Sequence, residues 1–192
     1  YKDKAGQGPS SSLASSPSIW DTDKVGFTEA ANPLKLSEEN KLIFEDASFM
    51  VTANKGESFG SGFYVKHRGV PMVITASHVV GADKTVTLTD KEGVTSVAKV
   101  LATSGTGKGY DIALLQAEPS FLYAKKPLTL SPKAQSAGAS LLGLGFNMFG
   151  DVISKPFTLV SPSFKLEGSV NTVYKASPAL EHGFSGGPLV EG

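Results

Sequence analysis

A serine hydroxyl set among glycines is the group in this chain best placed to attack an electrophile. Gly183-Phe184-Ser185-Gly186-Gly187-Pro188 carries it, between a loop and the apolar pair Leu189-Val190. Glycine permits the strained backbone that lifts a nucleophile into a cleft. It also lets neighbouring N–H groups converge on a developing oxyanion. The same composition describes a plain glycine-rich turn. A nucleophile therefore requires that the chain also supply a base and an acid to orient it.

Three histidines are available as bases: His67, His78 and His182. His78 follows Val73-Ile74-Thr75-Ala76-Ser77, an apolar strand and two small residues. An imidazole at a strand end can be held by packed neighbours; a structural histidine is the plain alternative. Asp111 opens Tyr110-Asp111-Ile112-Ala113-Leu114-Leu115, where a carboxylate abuts four apolar residues. Such a group is costly to bury unless hydrogen-bonded, and a turn aspartate before a strand is the alternative. His67 falls in the turn Lys66-His67-Arg68-Gly69 and reads as solvated. His182 precedes Ser185 closely and reads as an exposed loop residue, with the rim of a substrate pocket as the alternative. His78, Asp111 and Ser185 each stand at the edge of an apolar strand, which is where a cleft can gather them.

The elements that must position these groups are strands. Residues 1 to 18 are rich in Ser, Gly, Ala and Pro and cannot bury enough apolar surface to offset chain entropy. They read as a linker or a tail lying on a partner, with Ile19-Trp20 as the first apolar pair. Residues 37–45 predict a short helix with Ser37 as N-cap and two early acids. From Ala47 onward, short β-prone runs recur at roughly ten-residue spacing between Gly and Asp turns: 48–52, 60–66, 71–76, 86–89, 96–101 and 112–115. Residues 116–135 carry three prolines and read as a crossing connection. Strand texture resumes at 140–146, 153–166, 170–174 and 187–190. No long segment has helical periodicity. The pattern predicts an all-β sandwich or barrel, in two antiparallel units.

Composition bounds the rest. A length of 192 residues suits one domain or a compact two-lobed one, and 40% hydrophobic residues can build its core. Eighteen basic and 18 acidic side chains cancel, so no electrostatic footprint points to nucleic acid or an anionic membrane. No apolar run approaches the ~18–20 residues of a spanning helix. There are no cysteines, which excludes disulfides, thiolate metal sites and a cysteine nucleophile. The chain starts at Tyr1 without a signal-peptide layout, and the natural polypeptide is expected to extend beyond Gly192.

Thr75-Ala76-Ser77-His78, Asp111-Ile112-Ala113-Leu114-Leu115 and Gly183-Phe184-Ser185-Gly186-Gly187-Pro188 resemble the three signatures of chymotrypsin-like (trypsin-like) serine proteases, in the family's order. Gly60-Ser61-Gly62-Phe63 before the histidine is similar too, and the resemblance covers residues 47–190. It implies two six-stranded antiparallel β-barrels, the second incomplete in this chain. The organisation is then an N-terminal flexible or surface-lying segment (1–40), a first barrel with His78 and Asp111 (41–118), and a linker and second barrel with Ser185 (119–192). It further implies a serine endopeptidase with His78 as base, Asp111 as its orienting acid and Ser185 as nucleophile. The N–H groups of Gly183 and Ser185 would form the oxyanion hole. Ala179, Leu180 and His182 would border the substrate pocket, whose uncharged base favours an apolar side chain before the scissile bond. The partner is a polypeptide substrate; no metal or organic cofactor is implied, and oligomeric state is left open.

Two branches of the family fit. Short loops, absent disulfides and Asp-Ile-Ala-Leu-Leu resemble bacterial HtrA-like proteases and equally the proteases within polyproteins of positive-strand RNA viruses. HtrA-like enzymes usually carry asparagine before the serine, here Phe184, and asparagine or alanine before the histidine, here Ser77. Those departures favour viral polyprotein processing, in host cytoplasm or a membrane-associated polyprotein. An HtrA-like quality-control protease, periplasmic or secreted, is one alternative. A protease-like binding module without activity is the other.

Overall fold

The computed structural model describes residues 36–107, 110–133, 135–165, 172–177 and 181–191, with side chains described outside 161–180. The expectations for residues 1–35 and for Ala179 and Leu180 lie outside the described residues.

Helix α1 (Glu38–Asp46) forms where the sequence predicts it. Ser37 caps it, its hydroxyl accepting the Asn40 N–H at 3.2 Å, and Glu38 and Glu39 face the positive end of the dipole. Six strands follow: β1 (Ser48–Ala53), β2 (Ser58–His67), β3 (Val70–Thr75), β4 (Thr85–Thr89), β5 (Thr95–Thr103) and β6 (Ala113–Gln116). All neighbours are antiparallel and the sheet closes on itself in the order β1-β2-β3-β6-β5-β4. Alternation decides what fills it: Phe49, Val51, Val73, Val86, Leu88, Ala98, Ala113 and Leu115 point inward and are buried. The β2–β3 hairpin turns at Arg68 and Gly69, both at positive φ (50° and 77°), which leaves His67 exposed as expected.

Between β3 and β4 lies a single-turn helix, α2 (Ser77–Val80). The sequence suggests that His78 ends a strand; instead β3 stops at Thr75 and the chain coils. Val79 and Val80 are 1% exposed, and burying both at once requires the coil. Ile112 likewise stays outside β6 and is exposed, because β3 pairs only from Ala113 onward.

The connection after β6 holds a short helix, α3 (Pro119–Leu122), with proline at the helix start where a missing N–H costs nothing. Beyond it Lys125 reaches Asp90 at 3.1 Å and lies 5.8 Å and 5.4 Å from the ring centroids of Phe49 and Phe121. Leu128 bridges β2 in parallel through Val65, its N–H donating to the Tyr64 carbonyl at 2.8 Å.

The second sheet has strands β7 (Ser140–Phe146), β8 (Val152–Lys165), β9 (Thr172–Ser177) and β10 (Leu189–Val190), in the order β10-β7-β8-β9. Register slips within β8 near Ser161, beside Pro162, which cannot donate to the ladder. Thus the all-β expectation stands, with one closed six-stranded barrel and a partial second sheet among the described residues. No helix among those residues is long and apolar enough to cross a membrane.

Candidate active site

His78 and Asp111 meet on the first barrel. With Val79 and Val80 turned into the core, the His78 side chain faces outward, 38% exposed against 19% for Asp111. The Asp111 Oδ2 lies 2.5 Å from His78 Nδ1, and Oδ1 accepts the backbone N–H of the same histidine at 2.8 Å. One carboxylate thus fixes both the ring and the backbone of one residue. The bond to Nδ1 leaves Nε2 as the ring nitrogen that Asp111 does not engage.

Asp111 is itself held by its neighbours. The Ser104 N–H donates to the Ile112 carbonyl, and the Ile112 N–H to Ser104 Oγ, each at 2.9 Å. Thr103, next along β5, shares a hydrogen bond with Ser77, the residue before His78. The loop bearing the acid and the helix bearing the base are therefore tied at two levels.

Ser185 arrives from the second sheet and is anchored to the first. Its carbonyl accepts the Ser61 N–H at 2.8 Å. Gly186 follows at φ +84°, and a side chain there would meet Thr75 Oγ1 at 2.6 Å and the Ala76 nitrogen at 2.7 Å. Only glycine satisfies both constraints. The Ser185-Gly186 segment therefore lies against Thr75, the last residue of β3, and Ala76, three and two residues before His78. The backbone of Ser185-Gly186 and the His78–Asp111 pair thus both adjoin the chain where it leaves β3.

The expected oxyanion donors are also ordered. Gly183 sits at φ +100°. The Gly187 N–H donates to the Phe184 carbonyl at 2.8 Å, so the trans peptide turns the Ser185 N–H the opposite way. Among the described residues neither the Gly183 nor the Ser185 N–H donates to a protein acceptor. Phe184, between them, is 5% exposed and meets Phe157 edge-on at 6.2 Å. Gly145 leaves the space for it, since a side chain there would strike the Phe184 ring at 2.8 Å.

His182 is exposed, as its sequence context suggests, and lies edge-on to Phe59 at 4.7 Å. Beside it Glu181 pairs with Lys155.

Sequence reasoning missed Ser61 and Thr75. Ser61 is fully buried and Thr75 is 1% exposed; Thr75 Oγ1 donates to the Ser61 carbonyl at 2.7 Å. The available signal was a lone hydroxyl between two glycines inside a strand, Gly60-Ser61-Gly62.

Comparison with known proteins bears on the family and the fold. The trypsin-like peptidase domain family matches residues 60–192. No curated protein sequence matches the chain. Among solved structures, the fold is similar to the Rv3671c protease of M. tuberculosis in its inactive form, at 22% identity and TM-score 0.63, covering 77% of this chain and 73% of that one. It is similar to the MamO protease domain of Magnetospirillum magneticum, at 22% identity and TM-score 0.59, covering 78% and 80%. It is also similar to a serine endoprotease of Yersinia pestis, at 17% identity and TM-score 0.58, where it covers 82% of this chain but 54% of that one. The chain belongs to the trypsin-like peptidase family.

Proposed function

We propose that this chain is a serine endopeptidase that hydrolyses peptide bonds through an acyl-enzyme. His78 takes the proton from Ser185 Oγ and returns it to the leaving amine. Asp111 holds the imidazole tautomer and stabilises the imidazolium. Ser185 attacks the scissile carbonyl, and the oxyanion is received by the N–H groups of Gly183 and Ser185. The family resemblance assigns Ala179, Leu180 and His182 to the pocket for the side chain before the scissile bond. The observation that carries the reading is the double use of Asp111 on His78, beside a glycine-flanked serine anchored to the same corner. Structural ties alone do not require both carboxylate oxygens on one partly exposed histidine.

For the biological role, viral polyprotein processing rests on Phe184 and Ser77 at the positions flanking the serine and histidine. The HtrA-like alternative draws on the bacterial proteases of similar fold. A fluorophosphonate probe tests the shared chemistry. One-to-one labelling that Ser185→Ala abolishes, with the variant folded, supports the endopeptidase. A folded wild-type chain that never labels supports the binding module instead. Cleavage of its own flanking polypeptide, rather than of unfolded proteins in general, separates the viral role from the HtrA-like one.

A further inference from the structure

We propose that Ser61 is a positioning residue that keeps the oxyanion hole formed; this rests on the endopeptidase reading above. Ser61 lies on β2 of the first barrel, yet two of its groups make three hydrogen bonds to the second half of the chain. Its hydroxyl donates to the Gly183 carbonyl at 2.5 Å and accepts the Phe146 N–H at 3.0 Å. Its own N–H donates to the Ser185 carbonyl at 2.8 Å.

The consequence follows from peptide planarity. The Gly183 carbonyl belongs to the 183–184 peptide, whose N–H donates to the Glu181 carbonyl at 3.2 Å. That plane is pinned at both ends. The Ser185 carbonyl belongs to the 185–186 peptide, pinned by the Ser61 N–H. The oxyanion donors lie on the two remaining planes, 182–183 and 184–185. The second is set by the Gly187 N–H on the Phe184 carbonyl. For the first, among the described residues, no backbone hydrogen bond holds the His182 carbonyl. Its orientation depends on Gly183, whose φ of +100° is free to change in glycine. Fixing the Gly183 carbonyl anchors the Gly183 Cα and its 183–184 plane, so rotation about the N–Cα bond is the one freedom left by which the Gly183 N–H can turn. Because the Phe146 N–H must donate to the Ser61 hydroxyl, the hydroxyl proton is left for Gly183, and rotation of the O–H is suppressed.

The test compares wild type with Ser61→Ala and Ser61→Cys in the full chain. Cysteine keeps the shape with a weaker donor and acceptor. Measured are kcat and KM on a peptide, the affinity of a peptide aldehyde that forms a tetrahedral adduct, the affinity of a product peptide, and Tm. Loss of one oxyanion donor typically costs about 10²–10³-fold in kcat; removing its support is expected to cost roughly ten- to a hundred-fold in Ser61→Ala, with Ser61→Cys between. The aldehyde should weaken by the same factor while KM and product affinity hold. If Ser61→Ala does not fold, Ser61→Cys decides on the same readouts. A folded variant with unchanged kcat, or one losing product affinity in step with kcat, overturns the positioning role. Wild type inert to substrate and to fluorophosphonate overturns the endopeptidase reading and this role with it; active wild type with an indifferent Ser61 overturns this role alone.

Discussion

The two sheets hold their site residues by different means. The first closes into a barrel, so every strand has two hydrogen-bonded neighbours and the His78–Asp111 pair rests on a frame without edges. The second is an open sheet of four described strands, and the loop bearing Ser185 precedes a two-residue strand, β10. That loop is held from its own sheet, through Phe184 on Phe157 and Gly145, and also from the first barrel, through Ser61 and Thr75 at the end of β3. The proposed acid and base are thus held within one half, whereas the proposed nucleophile is held by contacts to both. On the proposed function, damage to the first barrel is expected to disable everything, while damage to the seam is expected to spare the His78–Asp111 pair and impair only acylation.

The largest effect expected is chemical. Ser185→Ala should remove activity by roughly 10⁶-fold with little change in Tm, as for a triad acting as a unit. Asp111→Asn comes next, lowering kcat by about 10⁴-fold. The asparagine oxygen can still accept the His78 N–H, but its amide donates to the ring and selects the wrong tautomer. A loss of Tm comparable to the loss of rate would show Asp111 to be structural.

Stability changes should separate the two halves. Phe184→Ala empties a buried site and is expected to cost about 3–5 kcal/mol, read as a lower denaturant midpoint. Hydrogen exchange should speed up in β7 and β10 before it does in β1 and β4. Uniform acceleration would mean that the two sheets unfold as one. Lys125→Met leaves Asp90 buried beside two backbone donors, the N–H groups of Glu92 and Val94. Their presence softens the loss to roughly 1–3 kcal/mol, measured by chemical denaturation.

The smallest effect concerns pH. Burial pulls the Lys91 ammonium down, but the hydrogen bond and charge of Asp46, with Glu92 and Glu45, outweigh it and leave Lys91 above its ordinary 10.5. A raised pKa in the folded state gives stability that is fully present below the unfolded value and lost as pH rises through the folded one. Asp46→Asn should therefore cost less than about 1 kcal/mol at neutral pH, and the difference should vanish on the alkaline side. A constant difference at all pH values would assign the effect to helix α1 instead.

Much of this arrangement was legible from residue types. Short β-prone runs between Gly and Asp turns, from Ala47 to Leu115, announced strands, and Ser37 with Glu38-Glu39 announced the helix start. Glycines around Ser185 announced a strained, crowded turn, and φ of Gly183 and Gly186 accounts for them. What the chain concealed were contacts across long separations. Whether a lone hydroxyl at Ser61 is solvated or buried depends on Phe146 and Gly183, 85 and 122 residues away. The coil at Ser77–Val80 escaped notice for a related reason: Val79-Val80 reads as strand until the core position of both is known.

The fixing of Lys125 and Leu128 to β1, β2 and the Asp90 turn has a practical consequence for dissecting the molecule. The crossing segment is riveted to the first lobe as far as Leu128, and the chain beyond it, Thr129 to Lys133, is exposed. That short stretch is where a cut, an inserted reporter or a circular permutation can be introduced without opening either layer. Two pieces divided there would carry the imidazole and the hydroxyl separately, making reassembly itself a measurable event.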